Sequence, residues 1–312
     1  MDFPGINKNT EKIPLMVIAG PTASGKSALA IAVCEALHGE VVSADSMQVY
    51  QGMDIATAKP SPEEQARVRH HLIDIVDPKT RFSVAQYAPM AHAAVRDIHA
   101  RGKLPVLCGG TGLYIQAVTE NLSYTQGELA HDFAQATWRQ LHEIDPMAAG
   151  KIHPNDQKRV NHALALYQAT GVTLTQQNAR SRDKPSPYRA KMVFLNARDR
   201  QVLYERINFR VDAMLAQGLL EEAKGKWQEA RSTSMQAIGH KELEPFFRGE
   251  CSLGQAVERL KQETRRYAKR QLTWFRRMQR EWNEREPGSC VELMIEDADL
   301  IEWATDYAKR ML

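Results

Sequence analysis

Eight residues, Gly20-Pro21-Thr22-Ala23-Ser24-Gly25-Lys26-Ser27, constrain this 312-residue chain more than any others. They match G-x-x-x-x-G-K-[ST], a loop whose backbone amides surround phosphate groups. The flanks agree with the letters. Leu15-Met16-Val17-Ile18-Ala19 is an apolar run the length of a buried parallel strand. Ala28 to Leu37 reads as a helix with Leu29, Val33 and Leu37 on one stripe, and Gly39 is its expected stop. A loop that leads from strand to helix aims its N–H groups at the helix N-terminus, where the dipole favours an anion. Lys26 adds a mobile cation, and the Ser27 hydroxyl can hold a magnesium ion. The chain therefore binds a di- or triphosphate group; the loop alone leaves open which molecule carries it.

The rest of the chain supplies the frame. Val41–Ala44 reads as a strand ending at Asp45, His71–Val76 as a third strand, and Pro105–Cys108 as another, with a helix over Val84–Arg101 between them. This order predicts an α/β fold, a P-loop NTPase-like parallel sheet flanked by helices. Residues 121–190 contain no convincing strand. Trp138, Leu141 and Ile144 share one helical face, Val160, Leu164 and Tyr167 another, and Ser181–Ala190 has the composition of a linker. Met192–Leu195 then reads as a strand returning to the sheet. The expected organisation is a flexible tail over 1–13, a catalytic core over 14–120 and 191–312, and an inserted all-helical domain over 121–190. One long helix is predicted over Arg200–Trp227 and another from Leu253 to about Glu284. A weak strand (Val291–Ile295) and a helix (Ala298–Met311) close the chain.

Composition narrows the classes. No apolar run approaches a membrane span, and the N-terminus lacks the basic and apolar segments of a signal peptide, so a cytoplasmic protein with no membrane partner is expected, acting as a monomer. The four cysteines are scattered and form no C-x-x-C, which argues against a zinc or redox pair. The net charge of +3 hides an asymmetry: from Arg259 to Arg285 ten Lys/Arg face three Glu, a net of +7, leaving −4 elsewhere. Such a block suits a polyanionic partner.

Asp45 ends the strand that should follow the phosphate-loop helix, and ligands of parallel sheets sit beyond the carboxyl ends of the strands. A carboxylate there can accept a proton from an attacking nucleophile or orient a metal's waters; the plain alternative is a cap for the turn through Ser46. Gly109-Gly110-Thr111-Gly112 also joins a strand to a helix, and its expected use repeats the first loop, close backbone approach plus a hydroxyl at a helix N-terminus. Arg206 and Arg210 share a helical face and suit a pyrophosphate or, equally, solvent. Asp74, Asp77 and His70-His71 are read as structural, as is Asn196-Ala197-Arg198-Asp199, which lacks the lysine of a guanine-reading N-K-x-D. Tyr267, Trp274 and Phe275 interleave with the cations of the basic helix, where arginines can grip phosphates and aromatics can stack on bases; Leu272 and Phe275 are expected to look inward.

Taken in order, these pieces resemble the tRNA dimethylallyltransferases (tRNA isopentenyltransferases). The matching runs are Gly20–Ser27, Asp45-Ser46-Met47-Gln48-Val49-Tyr50, Gly109–Tyr114, Ile152–Asp156, Arg206–Asp212, Gln236-Ala237-Ile238-Gly239 and Lys269–Arg276. The resemblance covers nearly the whole chain.

It implies transfer of a dimethylallyl group from dimethylallyl diphosphate to the exocyclic amine of the adenosine 3′ of the anticodon, in tRNAs reading codons that begin with U. Asp45 would take the proton, Lys26, Arg210 and Ser27 with Mg2+ would stabilise the leaving diphosphate, and Thr111 would lie near the reacting centre. Residues Gly20, Pro21, Thr22, Ala23, Ser24, Gly25, Lys26 and Ser27 would hold the diphosphate. The anticodon stem-loop would run along Asp45, Ser46, Met47 and Gln48, along Lys158, Arg159 and His162, and along Gln236, Ala237, Ile238, Gly239, His240 and Lys241. It would continue over Lys269, Arg270, Gln271, Leu272, Thr273, Trp274, Phe275 and Arg276. Two departures from the family pattern stand out: His162 and Ala165 replace an arginine and a glutamate, and His240 stands where a tyrosine is expected. A P-loop kinase that phosphorylates a small molecule from ATP is the alternative activity.

Overall fold

The strand ahead of the phosphate loop lies inside a six-stranded sheet, hydrogen-bonded on both sides. The computed structural model describes residues 12–124, 136–181, 184–227, 234 and 237–312. In chain order it begins β1 (Ile13–Ala19), α1 (Lys26–Leu37), β2 (Gly39–Ser43), α2 (Pro62–Arg67), β3 (His70–His71), α3 (Val84–Ala100), β4 (Leu104–Gly109) and α4 (Gly112–Thr119). The middle holds α5 (Trp138–Ile144), α6 (Pro146–Ala149), α7 (Gln157–Thr170) and α8 (Leu174–Arg180). It ends with β5 (Tyr188–Asn196), α9 (Arg200–Ala216), α10 (Leu219–Trp227), α11 (His240–Phe247), α12 (Leu253–Arg285), β6 (Cys290–Met294) and α13 (Leu300–Lys309).

All strands are parallel, in the order β3-β2-β4-β1-β5-β6. Both faces are covered, so β1 is apolar throughout: Leu15, Val17 and Ala19 join one core and Met16 and Ile18 the other. The first core packs against α3, α4, α9 and α12, and the second against α1 and α13. Residues 136–174 gather their own cluster around Leu141, Val160 and Leu164. Ile144 and Tyr167, expected on the inner faces there, are exposed.

Several elements differ from the sequence reading. The third strand is two residues long and starts at His70. Leu72 and Asp74 take φ of 63° and 56°, which ends any ladder, and only an isolated bridge between Tyr50 and Val76 follows. The α1 helix is closed by His38 in the left-handed region, not by Gly39, which already belongs to β2. The helix expected over Arg200–Trp227 is two helices, broken where Gly218 takes a φ of 102°. The sheet resumes at Tyr188, inside the expected linker. Most of the expected tail, residues 1–11, lies outside the described residues.

The element that shapes the site is α12, 33 residues long and therefore about 50 Å. Ala256, Leu260, Thr264, Ala268, Gln271, Leu272, Phe275, Met278 and Trp282 recur at helical spacing and are buried, while Arg259, Arg266, Lys269, Arg270, Arg276, Arg277 and Arg280 between them are exposed. Phe275, fully buried, meets the Phe194 ring of β5 at 5.7 Å and pins the helix to the sheet. Phe275→Ala is expected to lower unfolding free energy by about 3–5 kcal/mol in urea titration. A loss under about 1 kcal/mol contradicts this anchoring role.

Candidate active site

The carboxyl ends of β1, β2 and β4 open into one cavity of about 290 Å³. Thr22, Lys26 and Ser27 line it from the phosphate loop, Asp45 to Gln48 from the end of β2, and Cys108 and Gly109 from β4. Arg210 of α9, Tyr267, Arg270 and Gln271 of α12, and Ala237 to Gly239 complete the wall. The loop turns because Gly25, at φ 85°, caps α1 in the left-handed region, and Ala23 is held at φ 63°. Lys26 Nζ donates to Pro21 O at 2.7 Å, which folds its stem back over the loop. The Ser24 hydroxyl is buried in the loop and hydrogen-bonds no described atom.

Two cations and one carboxylate set the field. Burial lowers the Lys26 ammonium to about 8, with Arg210 repelling its proton and Asp45 retaining it. Burial also lowers Arg210, against the pull of Asp45. Asp45 Oδ1 accepts from Met47 N at 2.8 Å and Gln48 N at 3.4 Å, so the turn-capping reading is correct as far as that oxygen goes. Oδ2 takes no hydrogen bond from a described residue. The carboxylate thus has one oxygen held by backbone and one able to accept a proton. Thr111 Oγ1 accepts from Ser46 N at 3.0 Å and fixes the neighbouring turn.

The second glycine loop is a place of close approach within the protein. A Cβ on Gly109 would lie 2.1 Å from Ala44 O, one on Gly110 2.3 Å from Gln271 Nε2, and one on Gly112 2.2 Å from the Trp274 ring. These glycines admit other parts of the protein. They let β2 and α12 close onto the loop that carries Thr111.

Residues 48–278 match the family model described as IPP transferase. The chain belongs to the IPP transferase family. It is 45% identical over 280 residues to a tRNA dimethylallyltransferase of Caldanaerobacter subterraneus subsp. tengcongensis, covering 85% of this chain and 89% of that one. It is 46% identical over 285 residues to that of Geobacter sulfurreducens, covering 87% and 91%. The solved full-length tRNA isopentenylpyrophosphate transferase of Bacillus halodurans superposes with a TM-score of 0.70 at 40% identity, over 96% of this chain and 97% of that one. A eukaryotic dimethylallyltransferase acting on tRNA superposes with a TM-score of 0.76 at 30% identity, over 95% and 77%.

Within this family member, the residues expected along RNA divide by burial. Lys269, Arg270, Thr273 and Arg276 are exposed on α12, and Arg277 stacks over the half-buried Trp274 ring at 4.6 Å. Gln271, Leu272 and Phe275 are buried, the last two in the core as expected; Gln271 instead bonds both glycine loops. Lys158, Arg159 and His162 are exposed on α7. Lys241 is exposed and Ile238 half-buried, while Ala237 and Gly239 are buried in the cavity wall. Gln236 lies outside the described residues. His240 is a correction. It is 2% exposed and its Nε2 lies 3.3 Å from Glu222 Oε1, so it is packed within the protein and presents no face to a base.

Three of the residues given structural roles are held by other side chains, while His70 also lines the cavity. Asp74 pairs with Lys59, His71 with Glu40, and Asn196 Nδ2 donates to Glu292 Oε1. Arg206 is exposed, unlike Arg210 one turn on.

Glu222 escaped the sequence reading. It accepts from the backbone N–H of Asp54, Ile55 and Ala56 at 2.8, 2.7 and 3.0 Å, and so holds the loop that forms one cavity wall. Burial pushes its carboxyl up, but bonds from His240 and the three amides outweigh this and bring it to about 2. Nothing in Leu219-Leu220-Glu221-Glu222 marks it, because the three amides it collects lie more than 160 positions away.

The lysine gives a test. An anion in the cavity raises the pKa of Lys26 above its value near 8, so binding is strongest below that pH and weakens as pH rises through it. Calorimetry with inorganic diphosphate is expected to show the affinity of wild type, relative to Lys26→Met, falling by up to about tenfold per pH unit above the break. The ratio cancels titration of the ligand itself. A ratio that stays flat across that range contradicts the assignment.

Proposed function

We propose that this chain transfers a dimethylallyl group from dimethylallyl diphosphate to the exocyclic amine of the adenosine 3′ of the anticodon, in tRNAs reading codons that begin with U. The observation that carries this reading is one cavity that joins a phosphate loop to a carboxylate with an unengaged oxygen. The names of the relatives favour prenyl transfer to tRNA over the kinase alternative.

In the proposed mechanism the diphosphate lies in Gly20–Ser27, with Lys26 and Arg210 against its oxygens. The target adenine leaves the anticodon stack and enters the cavity beside Asp45. Its amine is a weak nucleophile because the lone pair is delocalised into the ring. Asp45 Oδ2 accepts a hydrogen bond from the amine and takes its proton as the new bond forms. The nitrogen lone pair forms the bond to the allylic carbon, the carbon–oxygen bond breaks, and its electron pair stays on the departing diphosphate. Lys26 and Arg210 stabilise that growing charge in a site where water screens little. Thr111 holds the Ser46 turn, and hence Asp45, in position.

A divalent ion fits this arrangement. No three His, Cys, Asp or Glu side chains gather into a metal cluster among the described residues. Ser27, which lines the cavity, would hold Mg2+ through its hydroxyl, with substrate oxygens supplying further ligands. When bound it would offset charge on the leaving group.

The exposed cations of α12 and Lys158, Arg159 and His162 of α7 would follow the RNA backbone, with the helical unit over 136–181 closing on the anticodon loop. No helix among the described residues is long and apolar enough to cross a membrane. A monomeric cytoplasmic enzyme belongs to the same proposal.

The test is transfer of label. Purified protein, anticodon stem-loop RNA, Mg2+ and dimethylallyl diphosphate labelled in its carbon chain are combined without ATP. Label is expected on the adenosine 3′ of the anticodon by nucleoside mass analysis, with release of diphosphate. An unlabelled RNA, together with phosphate passing to an acceptor in a parallel reaction that contains ATP, favours the kinase.

A further inference from the structure

Gln271 uses both ends of its amide on backbone groups of two different loops. Oε1 accepts from Thr22 N, an amide of the phosphate loop, at 2.9 Å. Nε2 donates to Gly110 O at 2.9 Å. The side chain is 6% exposed. Lys269, Arg270 and Thr273, on the same turns of α12, face solvent. One turn earlier, Tyr267 lines the same cavity, near the side chains of Thr111 and Gln271.

A single stretch of α12 thus presents cations outward and grips both catalytic loops inward. A Cβ at position 110 would collide with Gln271, so this contact is built into the fold. The Thr22 amide points at Gln271, which makes the shape of the phosphate loop depend on where α12 sits. A ligand that draws or stiffens the outer face of the helix acts on the loop through one side chain. A ligand that reshapes the loop acts back on the helix by the same amount.

We propose that Gln271 is a positioning residue that couples RNA binding on the outer face of α12 to diphosphate binding in the loop after β1. The inference rests on the assignment of those two ligands made above. Its consequence is that each ligand tightens the other, by a factor in the usual range of about 5–150.

The experiment measures the dissociation constant of inorganic diphosphate with and without saturating anticodon stem-loop RNA, so that no reaction intervenes. Wild type is expected to show a ratio of at least about fivefold. Gln271→Met, similar in size but unable to make the two bonds, is expected to bring the ratio to about one. Arg270→Ala is expected to weaken RNA binding yet keep the ratio once RNA saturates. A side chain that merely stabilised the fold would leave the ratio intact. If thermal unfolding shows that Gln271→Met does not fold, Gln271→Glu carries the same test, because it keeps the acceptor for Thr22 N and loses the donor to Gly110 O. A ratio of one in wild type, or a wild-type ratio retained in the Gln271 variant, overturns the coupling while leaving the site assignment standing. Failure of wild type to bind either probe overturns the site assignment, and the coupling with it.

Discussion

Lys26 and Arg210 are both half-buried in the cavity wall, and the carboxylate that faces them is that of Asp45. Two desolvated cations with one compensating carboxylate leave an uncompensated positive charge. That condition is costly unless an anion completes the cavity. The fold meets it by bringing three distant segments together: the turn after β1 supplies Lys26, the end of β2 supplies Asp45, and α9 supplies Arg210. A ligand with more than one negative charge is the natural complement. An allylic diphosphate fits that demand and also carries the carbon that an amine can attack.

The cavity holds its shape because α12 closes it from outside. Phe275 fastens the helix to β5, Gln271 fastens it to both glycine loops, and Trp274 lies directly on Gly112. Glu222 does similar work on the opposite wall by collecting three consecutive backbone amides. Neither Gln271 nor Glu222 reacts. Each sets where the groups lining the cavity stand, and Gln271 does so from the helix that carries the exposed cations.

What could be read from the chain beforehand follows the range of the interactions. The phosphate loop, β1, β2, β4 and most helices were legible because strand period, helix period and loop glycines are local signals. The third strand failed because the positive φ values of Leu72 and Asp74 are imposed by packing and hydrogen bonding, not announced by residue type. The helix over Arg200–Trp227 was read as unbroken because a glycine inside a helical pattern is often tolerated, whereas Gly218 here breaks the helix. The second glycine loop was correctly seen as a place of close approach, but the approaching groups are Gln271 and Trp274, more than 150 positions away. His240, placed along the RNA by the resemblance, is instead buried against Glu222, a contact that no local pattern announces. Asp45, Lys26 and Arg210 were all named from sequence, and they meet in one cavity.

The sharpest measurement compares turnover with binding in Asp45→Asn, which keeps the side chain's shape and removes its ability to take a proton. If Asp45 is the base, the turnover number for RNA prenylation falls by about 10²–10⁴, while the dissociation constants of the stem-loop and of diphosphate stay within about threefold. Turnover preserved in that variant, with both ligands still bound, contradicts the mechanism at its core.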